Sequence, residues 1–124
     1  MIDLDQIASS SELLTNGASL QDILRRTYLR IEDSDCWTQG SFARTWTGES
    51  VRPSHPSACR WCLLGAIALE SNPYAMSPPN LLTHLEERMQ REYGEQFDTL
   101  GAMNDYLTHE NVLAFLQRAI AEMG

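Results

Sequence analysis

Apolar residues recur along most of the chain with the spacing of one face of an α-helix. The first clear case is 20–31, where apolar side chains and one threonine fall at i, i+3, i+4, i+7 and i+8. Ser19 is the predicted N-cap of this helix. A shorter helix is predicted over about 4–14, ending at Asn16-Gly17, a dipeptide typical of turns.

The helical period returns after Pro56. The densest apolar stretch, "WCLLGAIAL", predicts a buried central helix over about 57–71, because proline suits a first helical turn. A further helix is predicted to end at Gly94, a short one lies in "FDTLGAMNDYL", and Thr108 is predicted to cap the last helix. Gly65, inside the central helix, predicts a close approach of another element.

The segment between these helices, at about 34–55, has a different pattern. It is rich in Ser, Thr, Gly and Pro, and it carries Trp37, Phe42 and Trp46. We expect an irregular Trp-rich loop or a small β-hairpin with Thr47-Gly48 at its turn. The whole chain, 1–124, is therefore predicted to be a single mainly α domain of five or six short helices around the central helix.

The net charge of the chain narrows the classes of partner that we expect it to bind. Seventeen acidic residues against nine arginines and no lysine give a net charge of −8. Such a chain is repelled by nucleic-acid phosphates and anionic membranes, so we expect neither direct nucleic-acid binding nor membrane binding. The first residues lack a basic start and a long apolar run, and the three cysteines form an odd number. These features predict a cytoplasmic protein with free thiols.

Three motifs resemble those of a family of small uncharacterised bacterial and phage proteins. They are "WTQGSFARTWTGESV", "RWCLLGAI" and "MND", followed by a closing T-x-x-x-V-L-x-x-L-x-x-A-I helix. Met103 replaces the tryptophan usual in that family, and Cys59 replaces an aliphatic residue. The resemblance implies no activity. The matching residues are Trp37, Gln39, Gly40, Ala43, Arg44, Gly48, Trp61, Cys62, Gly65, Ala66, Asn104 and Asp105.

Zinc and redox chemistry are the first candidates that the cysteines raise. Cys36, His55, Cys59 and Cys62 contain an H-x-x-x-C-x-x-C spacing, but zinc sites of this kind normally use two paired ligand clusters. A thioredoxin-type C-x-x-C needs a preceding strand in a βαβ unit, which the pattern lacks. We expect no metal and no cofactor.

A cysteine nucleophile is the enzymatic alternative. Cys62 would act in a hydrolase or transferase with His109 as base and Asp105 as its orienting group. His55 and His84 are alternative bases, Asn104 is an alternative orienting group, and Gln39 would donate to an oxyanion. The other interpretation is that Cys62 is a small buried hydrophobe, since free cysteine is among the most buried residue types. The sequence favours the second, non-enzymatic interpretation.

The polar motif residues also have two interpretations. In the structural one, Arg44 and Asp105 form a salt bridge, while Gln39 and Asn104 cap helix ends and loop carbonyls. In the functional one, they belong to a small-ligand binding site beside the Trp-rich loop. The predicted binding residues are Trp37, Gln39, Arg44, Trp61, Asn104 and Asp105, with Trp46 as a further wall.

Acidic side chains cluster at Glu86, Glu87, Glu92 and Glu95. With no phosphate loop or metal frame in the sequence, we predict a non-enzymatic acidic module that binds a protein partner, such as a basic nucleic-acid-binding protein. Its sharper form is a phage or mobile-element inhibitor of a host complex, acting by nucleic-acid mimicry as anti-CRISPR proteins do. This form of the prediction rests on an analogy with the size and charge of such inhibitor proteins.

Overall fold

The structure, a computed structural model, describes residues 17–71 and 79–123. These residues form a mainly helical protein with a small antiparallel sheet. The helices are α1 Gly17–Ile31, α2 Leu63–Ser71, α3 Pro79–Tyr93, α4 Leu100–Tyr106 and α5 His109–Met123; the strands are β1 Ala43–Arg44, β2 Ser50–Val51 and β3 Arg60–Trp61, and a 3-10 turn spans Ser34–Cys36. The helix predicted over 4–14 lies outside the described residues.

Two predicted helix starts differ from those observed. Helix α1 begins at Gly17, so Ser19 lies within its first turn and is not the N-cap. The predicted central helix over 57–71 begins only at Leu63, because Arg60 and Trp61 pair with β1 as an antiparallel strand. Backbone pairing with a neighbouring strand overrides the local helical pattern there.

The sheet has the order β2-β1-β3, and its two faces differ sharply. Ala43 is paired with Val51 and with Trp61, on the face that packs against the core. Arg44 is paired with Ser50 and Arg60, on the opposite face, since successive side chains alternate across a strand. The hairpin predicted within 34–55 is present as β1 and β2, whereas the third strand was not predicted.

Helix α1 packs against both α2 and α5. Its buried positions are Ile23, Leu24, Thr27 and Ile31. In α2, every position from Gly65 to Ile67 is buried. The core is completed by the inner faces of α3, α4 and α5, namely Leu81, Leu85, Met89, Leu100, Met103, Val112, Phe115, Leu116 and Ala119.

Two predicted boundaries are confirmed. Helix α3 ends at Tyr93, and Gly94 follows with a φ of 63°, a left-handed conformation that favours glycine. Thr108 Oγ1 accepts a hydrogen bond from the Asn111 N–H at 3.1 Å, as an N-cap of α5 does. Within the described parts of the chain, no helix is both long enough and apolar enough to cross a membrane.

Candidate functional site

Asn104, in α4, has a fully buried side chain that makes four hydrogen bonds. Its Oδ1 accepts from Trp37 Nε1 at 2.8 Å and from the Leu63 backbone N–H at 3.1 Å. Its Nδ2 donates to Thr38 O at 3.1 Å and to Asp105 Oδ1 at 3.2 Å. Four bonds are the full capacity of a primary amide. Asn104 therefore ties the loop before β1 and the first turn of α2 to α4.

Gln39 and Asp105 close the same junction at the C-terminal end of α4. Gln39 Nε2 donates to the carbonyls of Asn104 and Asp105, both at 3.0 Å, and of Leu107 at 3.1 Å. The last carbonyls of a helix have no partner inside the helix, and Gln39 supplies one. Asp105 Oδ1 also accepts from the Gly40 N–H at 2.9 Å. The predicted capping roles of Gln39 and Asn104 are confirmed.

Arg44 does not form the expected salt bridge with Asp105. Its guanidinium donates instead to Thr38 Oγ1 at 3.1 Å, to Gly48 O at 3.0 Å and to Gln39 O at 3.1 Å. The side chain thus braces the β1–β2 turn and the preceding loop through neutral oxygens. Asp105 uses its carboxylate on Gly40 and Asn104, which explains why the ion pair is absent.

The three tryptophans lie in three different surroundings. Trp61 is buried, donates Nε1–H to Pro53 O at 3.0 Å, and has the Arg30 guanidinium 4.8 Å from its ring centroid. The half-buried Trp37 packs on the ring of His109, with centroids 5.3 Å apart. Trp46 is 80% exposed. Trp37 and Trp61 are therefore part of the packing, and Trp46 is part of the surface.

An open groove of about 560 Å³ lies beside the Asn104 junction. Asp105 and Cys62 are the predicted site residues that line it. The other lining residues come from the hairpin and from the starts of α2 and α4: Gly40, Ser41, Phe42, Ser50, Leu64, Thr99 and Gly101. We refer to it as the central groove. Its volume is in the range of small-molecule sites.

Cys62 is the N-cap of α2. Its carbonyl accepts from the Ala66 N–H at 2.9 Å, and its Sγ accepts from the Gly65 N–H at 3.3 Å. Burial raises the pKa of this thiol, and the negative charge of Asp105 raises it further, although the backbone N–H groups of Gly65 and Leu64 act in the opposite direction. A raised pKa keeps the group as a thiol, whereas the nucleophile is the thiolate.

The contacts of His109 do not place it as a base for Cys62. Its Nε2 lies 2.6 Å from the Ile31 carbonyl oxygen, and its ring packs on Trp37. In the described residues no hydrogen bond joins His109 to Cys62 or Asp105. The structure thus does not assemble the triad that the sequence suggested.

The predicted acidic surface divides into paired and unpaired carboxylates. Glu92 is half-buried and contacts Arg118 at 2.6 Å and Arg88 at 2.7 Å. Burial alone would raise the pKa of Glu92, but the hydrogen bond and charge of Arg118, together with Arg88, lower it below its ordinary value. Glu92 is therefore a structural ion-pair partner rather than a free surface charge.

The remaining members of the acidic cluster, Glu86, Glu87 and Glu95, are exposed. Within residues 17–71 and 79–123, none of the three is in a salt bridge. In the same ranges, no group of three or more His, Cys, Asp or Glu side chains has a geometry that could hold a metal ion.

Gly65 explains how the hairpin reaches α2. A Cβ added to Gly65 would lie 1.9 Å from the Phe42 carbonyl oxygen, so only glycine allows this contact. The Phe42 carbonyl also accepts from the Cys62 N–H at 3.2 Å. The predicted close approach at Gly65 is confirmed.

Several participants were missed by sequence reasoning. They are the backbone groups of Thr38, Leu63 and Leu107, and the groove-lining Ser41, Ser50, Thr99 and Gly101. Backbone donors and acceptors carry no residue-type signal, and small polar residues are common in any loop. The importance of Asn104 could be partly predicted, because it lies in the "MND" motif.

The fold and this junction define a mainly helical protein whose motif residues pin a small sheet onto two helices. The chain belongs to a family of unknown function, DUF6197, which matches residues 15–122. Membership confirms the resemblance to an uncharacterised family. No curated protein and no solved structure matches the chain.

Proposed function

We propose that this protein is a non-enzymatic binding module that uses an acidic surface to hold a basic protein partner. The observation that carries the proposal is the division of charge on α3. Arg88 and Arg91 are engaged by Glu92 and Glu122, which leaves Glu86 and Glu87 as exposed negative charges on the same helix.

Beyond the end of α3 the negative charge continues. Glu95 and Asp98 are exposed and line a polar groove of about 530 Å³ together with Gln90, Gly94 and Phe97. Exposed carboxylates of one sign raise the local concentration of a basic partner and accelerate its association. We call Glu86, Glu87, Glu95 and Asp98 the acidic face.

The sharper form of the proposal is a phage or mobile-element inhibitor. Its carboxylates would occupy a groove that normally binds nucleic-acid phosphates, in a host complex such as a CRISPR effector. The support for this form is the net charge of −8 and the acidic face. Cysteine catalysis is not proposed, because Cys62 is buried as a thiol and His109 is engaged elsewhere.

The test begins with a tagged pull-down from host lysate at low and moderate salt, followed by purification of the dominant partner. Glu87→Arg is expected to weaken binding about tenfold, a change of about 1.4 kcal/mol. Glu32→Arg, the same charge change at another exposed position, is the matched control and is expected to bind normally. The mimicry form also requires that the partner's nucleic acid compete with this protein. Equal effects of the two variants, or binding that does not weaken with salt, would reject the acidic face.

A second candidate is a small-ligand binder that uses the central groove. The groove offers an apolar wall from Phe42 and Leu64 beside the Asp105 carboxylate, a combination that suits a ligand with an apolar body and a donor group. A fragment screen by NMR would test it. Binding there should shift the amide signals of Gly40 and Gly101, and shifts confined to α3 would exclude this groove.

A further inference from the structure

We infer that the outer face of the three-stranded sheet is a second docking surface, and that it binds a short acidic segment of a partner protein bearing an aromatic or aliphatic side chain. We call this surface the outer sheet face and define it by Arg44, Trp46 and Arg60. The inference concerns residues other than the acidic face and does not depend on the function proposed above.

The register places two positive charges side by side. Arg44 on β1 is directly opposite Arg60 on β3, on the face away from the core. Like charges directly opposite each other destabilise an antiparallel pair. A sequence with seventeen acidic residues could have placed a carboxylate at either position, and it has arginine at both.

These positive charges are not neutralised by carboxylates within the described residues. Arg44 donates to three neutral oxygens, as described above. Arg60 Nε donates to the backbone carbonyl of Asp35 at 3.2 Å, not to its carboxylate. In 17–71 and 79–123 neither Arg44 nor Arg60 is in a salt bridge, so neither guanidinium charge is compensated by a direct ion pair there.

Trp46 adds an apolar anchor to the same face. Its side chain is 80% exposed, and the Arg60 guanidinium lies 6.0 Å from its ring centroid. At this distance the Arg60 guanidinium is at the outer limit of a cation–π contact, and most of the Trp46 ring is free. Tryptophan and arginine are the residue types most enriched at energetic centres of protein interfaces. Burying this ring would remove a large apolar area from water.

Charge complementarity selects the occupant. A partner carrying carboxylates would neutralise the arginine pair, while an apolar side chain would cover Trp46. A long polyanion such as single-stranded nucleic acid also has negative charge and stacking bases, but the net charge of −8 repels it as a whole. A short peptide experiences mainly the charges within about 8 Å at physiological salt, and it can place its carboxylates on Arg44 and Arg60 while keeping them away from the neighbouring Asp35.

The test uses defined probes and the full chain. A random twelve-residue peptide library displayed on phage is selected on the wild-type protein and counter-selected on Trp46→Ala. We expect enrichment of peptides that combine Asp or Glu with an aromatic or aliphatic residue. The affinity of one selected peptide, carrying a fluorescent label, is then measured by anisotropy, with a labelled oligo-dT strand as the competing class of ligand.

Four variants make the outcome specific. Trp46→Ala and Arg60→Glu are each expected to weaken peptide binding tenfold or more. Tyr106→Ala removes another exposed aromatic residue, 71% exposed on α4, and is expected to change the affinity less than twofold. Glu110→Arg, a charge change at an exposed position of α5, is expected to leave it unchanged. Thermal unfolding of each variant verifies that it is folded.

Each of the following results would overturn the inference: no enriched sequence class, enrichment of basic or neutral peptides, or tighter binding of oligo-dT than of the peptide. Equal sensitivity of the peptide affinity to Trp46→Ala and Tyr106→Ala would overturn it as well. A failure of the acidic face in the pull-down has no bearing on these outcomes, so the two proposals stand or fall separately.

Discussion

At the scale of single residues, the buried amide of Asn104 connects three parts of the chain: the loop before β1, the start of α2 and α4. Replacing it with alanine leaves the Trp37 indole N–H and the Leu63 backbone N–H without their acceptor. Because each orphaned buried donor is costly, Asn104→Ala is expected to lower the free energy of unfolding by about 2–4 kcal/mol. Urea denaturation measures this. The exposed Asn111 provides the control, since Asn111→Ala should change stability by less than about 0.5 kcal/mol.

The glycines of α2 and α4 give a second contrast between residues. Gly65→Ala should destabilise by about 3 kcal/mol or more, because its Cβ would overlap backbone atoms of Phe42. In Gly101→Ala the new Cβ meets Leu64 Cδ1 at 3.7 Å, an ordinary contact. That change should be neutral or stabilising by up to about 1 kcal/mol through helix propensity. Melting temperatures that shift in the same direction for both would contradict the packing described.

The thiol of Cys62 should be slow to react. It is buried and its pKa is raised, whereas Cys59 is half-buried. Alkylation with iodoacetamide at neutral pH, followed by peptide mass spectrometry, should modify Cys62 about tenfold or more slowly than Cys59. Denaturant should abolish the difference. Rapid modification of Cys62 in the folded protein would return the cysteine enzyme to consideration.

The contacts of these single residues were only partly predictable from the sequence. Gln39, Asn104 and Gly65 were singled out by residue type and given structural roles that the geometry matches. The expected pairing of Arg44 with Asp105 was wrong, because each side chain is satisfied by a nearer backbone or amide group. A sequence gives the inventory of donors and acceptors but not which of them the loop brings within 3 Å.

At the scale of elements, α3 and α5 are joined by a network of ion pairs. Arg88 and Arg91 of α3 contact Glu122 of α5, and Arg118 of α5 contacts Glu92 of α3. The hydrogen bond from Arg88, together with the charges of Arg88 and Arg91, lowers the pKa of Glu122, although partial desolvation opposes this. The pKa of Glu92 is lowered as well. The network fixes the relative position of two helices through their outer edges.

This network predicts a specific pH dependence. A carboxylate with a lowered folded-state pKa stabilises the fold above its unfolded-state pKa, and this contribution is lost as the pH falls below about 4.3. Glu92→Gln should therefore cost about 1 kcal/mol at pH 7 and show a flatter decline in stability between about pH 5 and pH 3. Urea midpoints across this range measure the effect. Glu87→Gln, at an exposed carboxylate, should follow the wild-type profile.

Helices with apolar residues at regular helical spacing along their whole length were predictable from the sequence. The very short strands were not. The stripe of α5 and the stop at Gly94 followed directly from spacing and capping rules. Each strand has only two residues, too few to reveal an alternating pattern. The third strand also lies inside an apolar run that resembles a helix start. The start of α2 at Leu63 depends on Asn104, which lies 41 residues away in the sequence.

At the scale of the whole molecule, charge is unevenly distributed. The acidic face leaves carboxylates unpaired in the described residues, and the outer sheet face leaves arginines unpaired there. Binding at either surface is expected to weaken with salt, since exposed charges are screened over about 8 Å at physiological ionic strength. Only partners of opposite charge, one basic and one acidic, would engage the two surfaces. The clustering of glutamates in the sequence predicted the acidic face, and its binding of a partner stays a prediction.

The Asn104 junction also affects how the protein opens and closes. The Gly40 N–H is held by an acceptor 65 residues away, and the Leu63 N–H by one 41 residues away. A buried hydrogen bond between distant segments opens only when the elements that it joins separate, whereas an exposed one opens locally. Native-state hydrogen exchange should therefore find the buried Leu63 amide among the slowest in the protein, although it lies at a helix start, and the exposed Gly40 amide faster. Exchange of Leu63 as fast as that of Gly40 would mean that the junction opens locally, independently of the core.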